Sequence, residues 1–198
     1  MSMNRKSCID GIVYYLSVLK VSVEMHNSLN HQDINLASEN FFRDFFNLVF
    51  GYHLKNINIV RRNAQSIDLG DDDSRIAIQV TSSTGLTKVK HTHSGFVKCG
   101  LDKKYDRLII LMIGEKTAFK QDTLGEAGGF HISLREDVWG ISDLLRHLED
   151  LSLEKLVDCE KYLRDGILVR RPREANEVKT LVRLIEVLSE ADTEVVRP

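Results

Sequence analysis

Proline is nearly missing from this sequence: Pro172 and Pro198 are the only two in 198 residues. Almost every backbone amide is therefore free to join a helix or a sheet. Cysteine is scarce as well. Cys8, Cys99 and Cys159 are odd in number and far apart, with no Cys-x-x-Cys and no histidine at zinc spacing. That excludes a disulfide framework and a zinc finger, and it predicts three reduced, buried, small apolar side chains in a cytosolic protein. Charge of one sign is not in excess: 27 Lys and Arg stand against 29 Asp and Glu, a formal net charge of −2. A histone-like polycation and an acidic tail protein are thereby excluded, while a local basic face is not. No apolar run approaches the ~20 residues that span a bilayer, so no membrane partner is expected. The apolar stretch near the N-terminus is broken by Asp10 and Ser17, with no small-residue cleavage site after it. No signal peptide is expected, and a cytoplasmic location is.

What is present suits one folded domain with a helical appendage: 42% of residues are hydrophobic and 28% charged, which excludes wholesale disorder. Residues 4–29 place Ile9, Ile12, Val13, Leu16, Leu19 and Val23 at helical spacing. A second helix is predicted over about 37–51, with Ser38 or Asn35 as its cap, Glu39 in its first turn and Gly51 as its stop. It carries Phe41, Phe42, Phe45 and Phe46. Short apolar stretches at Ile57, Ile59, Ile67 and Leu69 read as strands. The turn signal from Gly70 to Ser74 and the alternation of Ile76, Ile78 and Val80 predict a hairpin over 64–82. A third helix is predicted over 84–98. The continuous apolar run from Arg107 to Gly114 reads as a strand buried on both faces. A polar, glycine-rich loop at 115–129, an edge strand at 130–134 and helices at about 141–150, 153–165 and 174–190 complete the chain. Trp139 reads as core or hinge packing. Strand, helix and buried strand in succession call for a crossover. The predicted fold is an α/β sandwich with a mixed sheet, helices on its faces and a helical C-terminal extension, divided into a domain at 1–150 and an extension at 151–198. The extension is expected to pack on the domain or on a partner.

The densest polar information lies in Ser66-Ile67-Asp68-Leu69-Gly70 and Ile76-Ala77-Ile78-Gln79-Val80-Thr81. Asp68 sits in an otherwise apolar strand and Gln79 in its hairpin partner, so the two-residue period can bring them side by side. A carboxylate beside an amide oxygen is a seat for a hard cation such as magnesium, which can activate a water next to a phosphate. A plain structural role, an Asp satisfied by backbone N–H groups with the Gln in the same network, is favoured on residue types alone. Asp71-Asp72-Asp73 reads as a solvated turn. His91 and His93, two apart on a helix, face about 200° apart and do not share a metal. Between positions 88 and 107 six cations (Lys88, Lys90, Lys98, Lys103, Lys104 and Arg107) oppose only Asp102 and Asp106. Such a stretch suits a polyanion or an ordinary charged helix face, with equal weight. Arg170, Arg171 and Arg173 form a second basic cluster, read as a solvated joint or a partner contact.

The segments ASENFFRDFFNLVFGYHLKNIN, SIDLGDDDSRIAIQVTSS and TKVKHTHSGF, in this order and at close spacing, resemble the SMEK domain of bacterial proteins over about residues 5–150. That domain looks like a variant of the restriction-endonuclease-like PD-(D/E)XK superfamily. The resemblance implies a restriction-endonuclease-like three-layer α/β/α sandwich in which Asp68 matches the metal-binding Asp of the second core strand. It puts Gln79 where the third strand usually carries Glu or Asp, and matches Glu39 to an auxiliary acidic residue. It implies magnesium, or manganese, held by Asp68, Gln79 and Glu39. The superfamily's catalytic lysine falls at position 81, which is Thr81 here, so Lys88 and Lys90 on the next helix are the candidates for a migrated one.

Three expectations follow. The first is a magnesium-dependent nuclease using Asp68, Gln79, Glu39 and Lys88 or Lys90. The second is a nuclease-like fold that binds nucleic acid, DNA rather than RNA, through Lys88, Lys90, His91, Lys98, Lys103 and Lys104 without cutting it. The third is an interaction module, as in a multi-component anti-phage system, assembling as a homodimer or hetero-complex through the C-terminal helices. There Val178, Leu181, Val182, Ile185 and Leu188 form one apolar stripe.

Overall fold

A computed structural model describes residues 3–29, 33–57, 66–114 and 116–167. The predicted helix at 174–190, the Arg170–Arg173 joint and Ile59 lie outside the described residues. The first helix, α1 (Met3–Ser28), turns Ile12, Leu16, Leu19 and Val23 inward, three or four residues apart. The second, α2 (Asp33–Phe50), buries Phe42, Phe45, Phe46 and Val49 in the same rhythm. It starts earlier than its sequence predicts. Ser38 and Glu39 therefore lie in its second turn, and the buried Ser38 hydroxyl donates back to the Ile34 carbonyl at 2.7 Å instead of capping. The helix stops at Gly51, whose φ of 70° is left-handed and whose N–H donates to the Asn47 carbonyl.

The main sheet contains β1 (Lys55–Asn56), β2 (Leu69–Asp71), β3 (Ile76–Thr81), β4 (Arg107–Met112) and, beyond a two-stranded ribbon of β5 (Thr123–Leu124) and β6 (Ile132–Ser133), β7 (Val138–Trp139). Its order is β1-β2-β3-β4-β7. The first three strands are antiparallel, and β3, β4 and β7 run parallel. The crossover between β3 and β4 carries α3 (Leu86–Lys98). Two further helices follow, α4 (Ile141–Glu149) and α5 (Leu153–Gly166).

Two apolar clusters sandwich the sheet. Leu69, Ile78, Val80, Ile109 and Leu111 meet α1, α2, α4 and α5 on one face. Ala77, Leu108, Ile110 and Met112 meet Val89 and Phe96 of α3, with Tyr105 and Ile132, on the other. The fold is thus α/β, in three layers, with a mixed sheet. Every residue of β4 from Leu108 to Met112 is fully buried, as a strand between two layers must be. In α5, Leu156, Cys159 and Leu163 face the core, and the Tyr162 hydroxyl donates to the Phe41 carbonyl at 3.0 Å. Burial pushes the Cys159 thiol up to about 11, so it stays an inert packing group.

Several local expectations are corrected. Of the hairpin predicted over 64–82, the described part from Ser66 on forms, but its paired ladder begins only at Leu69, because the Asp68 N–H donates to Ile78, the residue already opposite Leu69. Trp139 is buried in the core, as expected, and it sits there on a strand. Two residues carry no period, so its pairing with Leu111 was invisible in the sequence. The loop at 115–129 contributes β5. Cys99 is exposed rather than buried, since it caps the outer end of α3. Among the described residues no helix is long and apolar enough to cross a membrane.

Candidate nucleic-acid interface and the Asp68–Gln79 pair

Side chains alternate along β3. Ile78 and Val80 point into the α1/α2 layer, so Gln79 points toward α3, with Ala77 of the same strand and Ile110 of β4 beside it. Asp68 precedes β2, directly across from Gln79. Its backbone is held on both sides: its N–H donates to Ile78 and its carbonyl accepts from Ile57. The structure thus brings Asp68 and Gln79 into contact, and both are buried, at 7% and 8% exposure.

The contact has a definite polarity. Gln79 Nε2 donates to Asp68 Oδ2 at 2.5 Å and to the Val80 carbonyl at 3.0 Å. The Val80 N–H donates to the same carboxylate oxygen at 2.8 Å. Asp68 Oδ2 therefore accepts twice, and the amide shows the carboxylate its nitrogen. This arrangement does not fit a hard cation, because the point on which the two oxygens converge is already filled by Nε2. Ser66, just upstream, is buried against Gly95 of α3, where any Cβ would collide with its hydroxyl. That close approach draws α3 down over the polar pair.

The other predicted residues are distributed as follows. Lys88 is half-buried and shares a face of α3 with Thr92 and Gly95, at i, i+4 and i+7. Thr92 is buried, and its hydroxyl is without a hydrogen-bond partner. Lys90 is exposed and lies about 200° round the helix from Lys88. The two lysines thus serve different surfaces. His91 is exposed, whereas His93 is half-buried, with its Nε2 2.8 Å from the Phe130 carbonyl and its ring stacked on Phe130. Glu39 is half-buried on α2, whose phenylalanines belong to the opposite layer; its neighbour Asn40 accepts from Asn56 of β1 at 3.3 Å.

The acidic triplet is not uniformly solvated. Asp71 is fully buried and accepts from the backbone N–H groups of His53, Asp73 and Ser74 at 2.8–3.0 Å. Burial pushes its carboxyl up, but those donations outweigh it, and the net shift is downward. Asp72 pairs with Lys104 at 2.8 Å and accepts from the Tyr105 hydroxyl, which holds its carboxyl below the usual range and the Lys104 ammonium above its own. Asp73 is exposed, 4.0 Å from His53. His53, Asp71 and Asp73 could offer three atoms to a metal, and no local pattern marks His53 as their neighbour. Asp71, however, is already committed to backbone N–H groups.

Of the six cations between 88 and 107, Lys104 and Arg107 are tied into ion pairs, the latter to Asp137 at 2.8 Å. Lys103 is exposed on a short 3-10 turn at Leu101–Lys103. Lys90 and Lys98 join His93 and Ser94 along a groove of about 510 Å³ between α3 and the β5–β6 ribbon. The opposite wall is Gly125, Gly129, Phe130 and one carboxylate, Glu126. Among the described residues neither lysine is in an ion pair. On the ribbon side of this groove the sequence predicts the edge strand that becomes β6, but reads Thr123–Leu124 only as loop, because a two-residue strand leaves no pattern.

A second cleft, of about 700 Å³, follows β7 and the start of α4. Its Lys116 and Arg146 share one carboxylate, Asp143, at 3.0 and 2.7 Å, and Asp143 also caps α4 through the Gly140 N–H. His147 lies there against Trp139, with ring centroids 4.4 Å apart and the planes tilted by 41°. Burial, with Arg107 and Arg146 nearby, holds the His147 imidazole below its usual range.

Compared with known proteins, the chain matches one family model, that of the SMEK domain, over residues 11–149, more than two-thirds of its length. Neither the curated proteins nor the solved structures contain a match.

Proposed function

Given that this chain belongs to the SMEK-domain family, we propose that it binds nucleic acid, duplex DNA first, on a restriction-endonuclease-like scaffold. The observation that carries the reading is the groove between α3 and the β5–β6 ribbon. Two lysines that form no ion pair among the described residues, a histidine and a serine face backbone-rich glycine turns and an aromatic ring, with a single acidic residue among them. Lysines neutralise phosphates and release counterions, and glycine turns let a backbone approach closely. The mixed sheet with a helix between its parallel strands is compatible with the nuclease-like scaffold.

The test is fluorescence anisotropy with labelled duplex DNA, single-stranded DNA and RNA in EDTA. The expected result is duplex binding that the double substitution Lys90→Glu and Lys98→Glu abolishes while thermal unfolding is unchanged. Binding that survives the double substitution overturns the reading, as does no binding by the native chain.

A second reading, magnesium-dependent phosphodiester hydrolysis, is favoured by one observation: Asp68 and Gln79 meet across β2 and β3 on the α3 side of the sheet, with Lys88 half-buried on that helix. It requires the Gln79 amide to leave its present acceptors so that Asp68, Gln79 and Glu39 can offer oxygens to the ion. Supercoiled plasmid incubated with magnesium or manganese decides it: nicking by the native chain that disappears in Asp68→Ala supports hydrolysis, and an intact plasmid with both proteins argues for binding alone.

A further inference from the structure

We infer that Gln79 decides whether this site takes a divalent cation, and that in the native chain its amide nitrogen stands in the cation's place. Two oxygens, Asp68 Oδ2 and the Val80 carbonyl, converge on one atom, at 2.5 and 3.0 Å. Oxygens aimed at a common point are the beginning of a hard-cation seat. Here the point is filled by Nε2, whose two N–H bonds serve the two acceptors. The reversed amide would set its own oxygen against both of them, so the hydrogen-bond network fixes the orientation. The Val80 N–H is a second donor to Asp68 Oδ2, at 2.8 Å. Its own hairpin thus gives this carboxylate oxygen two donors, one backbone N–H and one side-chain amide, with the Val80 carbonyl closing the ring.

The side chain that matters is the one at position 79. Glutamine and glutamate have the same length, yet they impose opposite requirements at this point. An amide brings its own positive end to the two oxygens. A carboxylate there would place a second negative group against Asp68 in a buried site, which requires a proton or a cation between them. The inference rests on the proposed function in one respect: it makes nucleic-acid binding independent of divalent ions.

The experiment measures manganese binding to the full chain, by the electron paramagnetic resonance of free manganese and by calorimetry, in the native protein and in Asp68→Asn, Gln79→Glu and Gln79→Ala. The native protein and Asp68→Asn are expected to bind manganese equally, whatever weak binding the exposed carboxylates contribute. Gln79→Glu is expected to gain a site at least about tenfold tighter than any in the native chain. That gain is expected to vanish when Asp68→Asn is added. Gln79→Ala vacates the point without a second buried carboxylate, keeps the fold, and is expected to gain a weaker site with the same dependence on Asp68. Native manganese binding that is lost in Asp68→Asn overturns the inference. So does the absence of any gain in both position-79 variants. The same native sample, titrated with duplex DNA in EDTA, keeps the two claims apart: no DNA binding sinks the proposed function and leaves the cation result standing.

Discussion

Asp68 and Asp71 are three residues apart in one hairpin, and both are carboxylates withdrawn from water, but they are stabilised differently. Asp68 is held by one backbone N–H and a side-chain amide, Asp71 by three backbone N–H groups. Removing the Asp71 acceptor strands those donors inside the protein, so Asp71→Ala is expected to cost about 1–3 kcal/mol in urea unfolding. The pH dependence follows from the lowered native pKa of Asp71. The unfolded chain binds this proton more readily than the native one. The stabilisation is therefore full above the unfolded pKa of about 3.9 and is lost as pH falls through the native value. Plotted against pH, the stability gap between the native chain and Asp71→Asn should be constant near neutrality and close in acid; a gap that widens in acid contradicts the assignment. His147 has the same sign for the opposite reason. Burial and the Arg107 and Arg146 charges disfavour its imidazolium, so the native state binds the proton less well, and stability from this group falls as pH drops through the unfolded pKa of about 6.5. A histidine-resolved NMR titration should place His147 below the ordinary histidine value of about 6.5; a value at or above it removes the argument.

At the scale of elements, α2 is the hub. Phe42, Phe45 and Phe46 are fully buried, and their rings lie 5.7–6.4 Å apart in edge and tilted contacts. Tyr162 of α5 stands 5.8 Å from Phe45, and Trp139 of β7 stands 6.1 Å from Phe46. One helix thus ties a C-terminal helix and a sheet edge together. Phe45→Ala is expected to destabilise by about 3–5 kcal/mol, measured by denaturant unfolding. Phe41, half-buried at the outer side of the same cluster, should cost less; equal losses would mean that the cluster does not have the interior and rim described. Much of this was legible beforehand. The phenylalanine spacing exposed the inward face of α2 without any tertiary information. The helix start was not legible, because Asp33 and Ser38 are both acceptable near a helix N-terminus and nothing local distinguishes them.

At the scale of the whole molecule, the question is how a chain of net charge −2 can attract a polyanion. Its cations are unevenly committed. Lys104, Arg75 and Arg107 are matched with Asp72, Asp106 and Asp137, whereas Lys90 and Lys98 face an open groove. Affinity for duplex DNA should fall linearly on a logarithmic salt scale, with a slope near −0.9 for each phosphate neutralised. Charge removal at Lys90 or Lys98 should flatten that slope by about one unit each, and removal at Lys104 should leave it unchanged. Equal effects at all three would place the contact surface elsewhere.

The sequence by itself determined the α/β class, the buried central strand, the aromatic helix and the pairing of Asp68 with Gln79. Each of these is written in a local period, a run or a hairpin register, and such patterns survive without knowledge of the rest of the chain. Only the tertiary structure decided which atom of Gln79 meets the carboxylate, which of the two lysines looks inward and which cations are neutralised. Those choices depend on partners far away in sequence: the Val80 carbonyl and Asp68 converge only when the hairpin closes, Lys88 rather than Lys90 turns inward only because of how α3 lies on the sheet, and Asp72 and Asp137 reach Lys104 and Arg107 only across the folded strands. A sequence lists the charges; distance and burial decide which of them remain available.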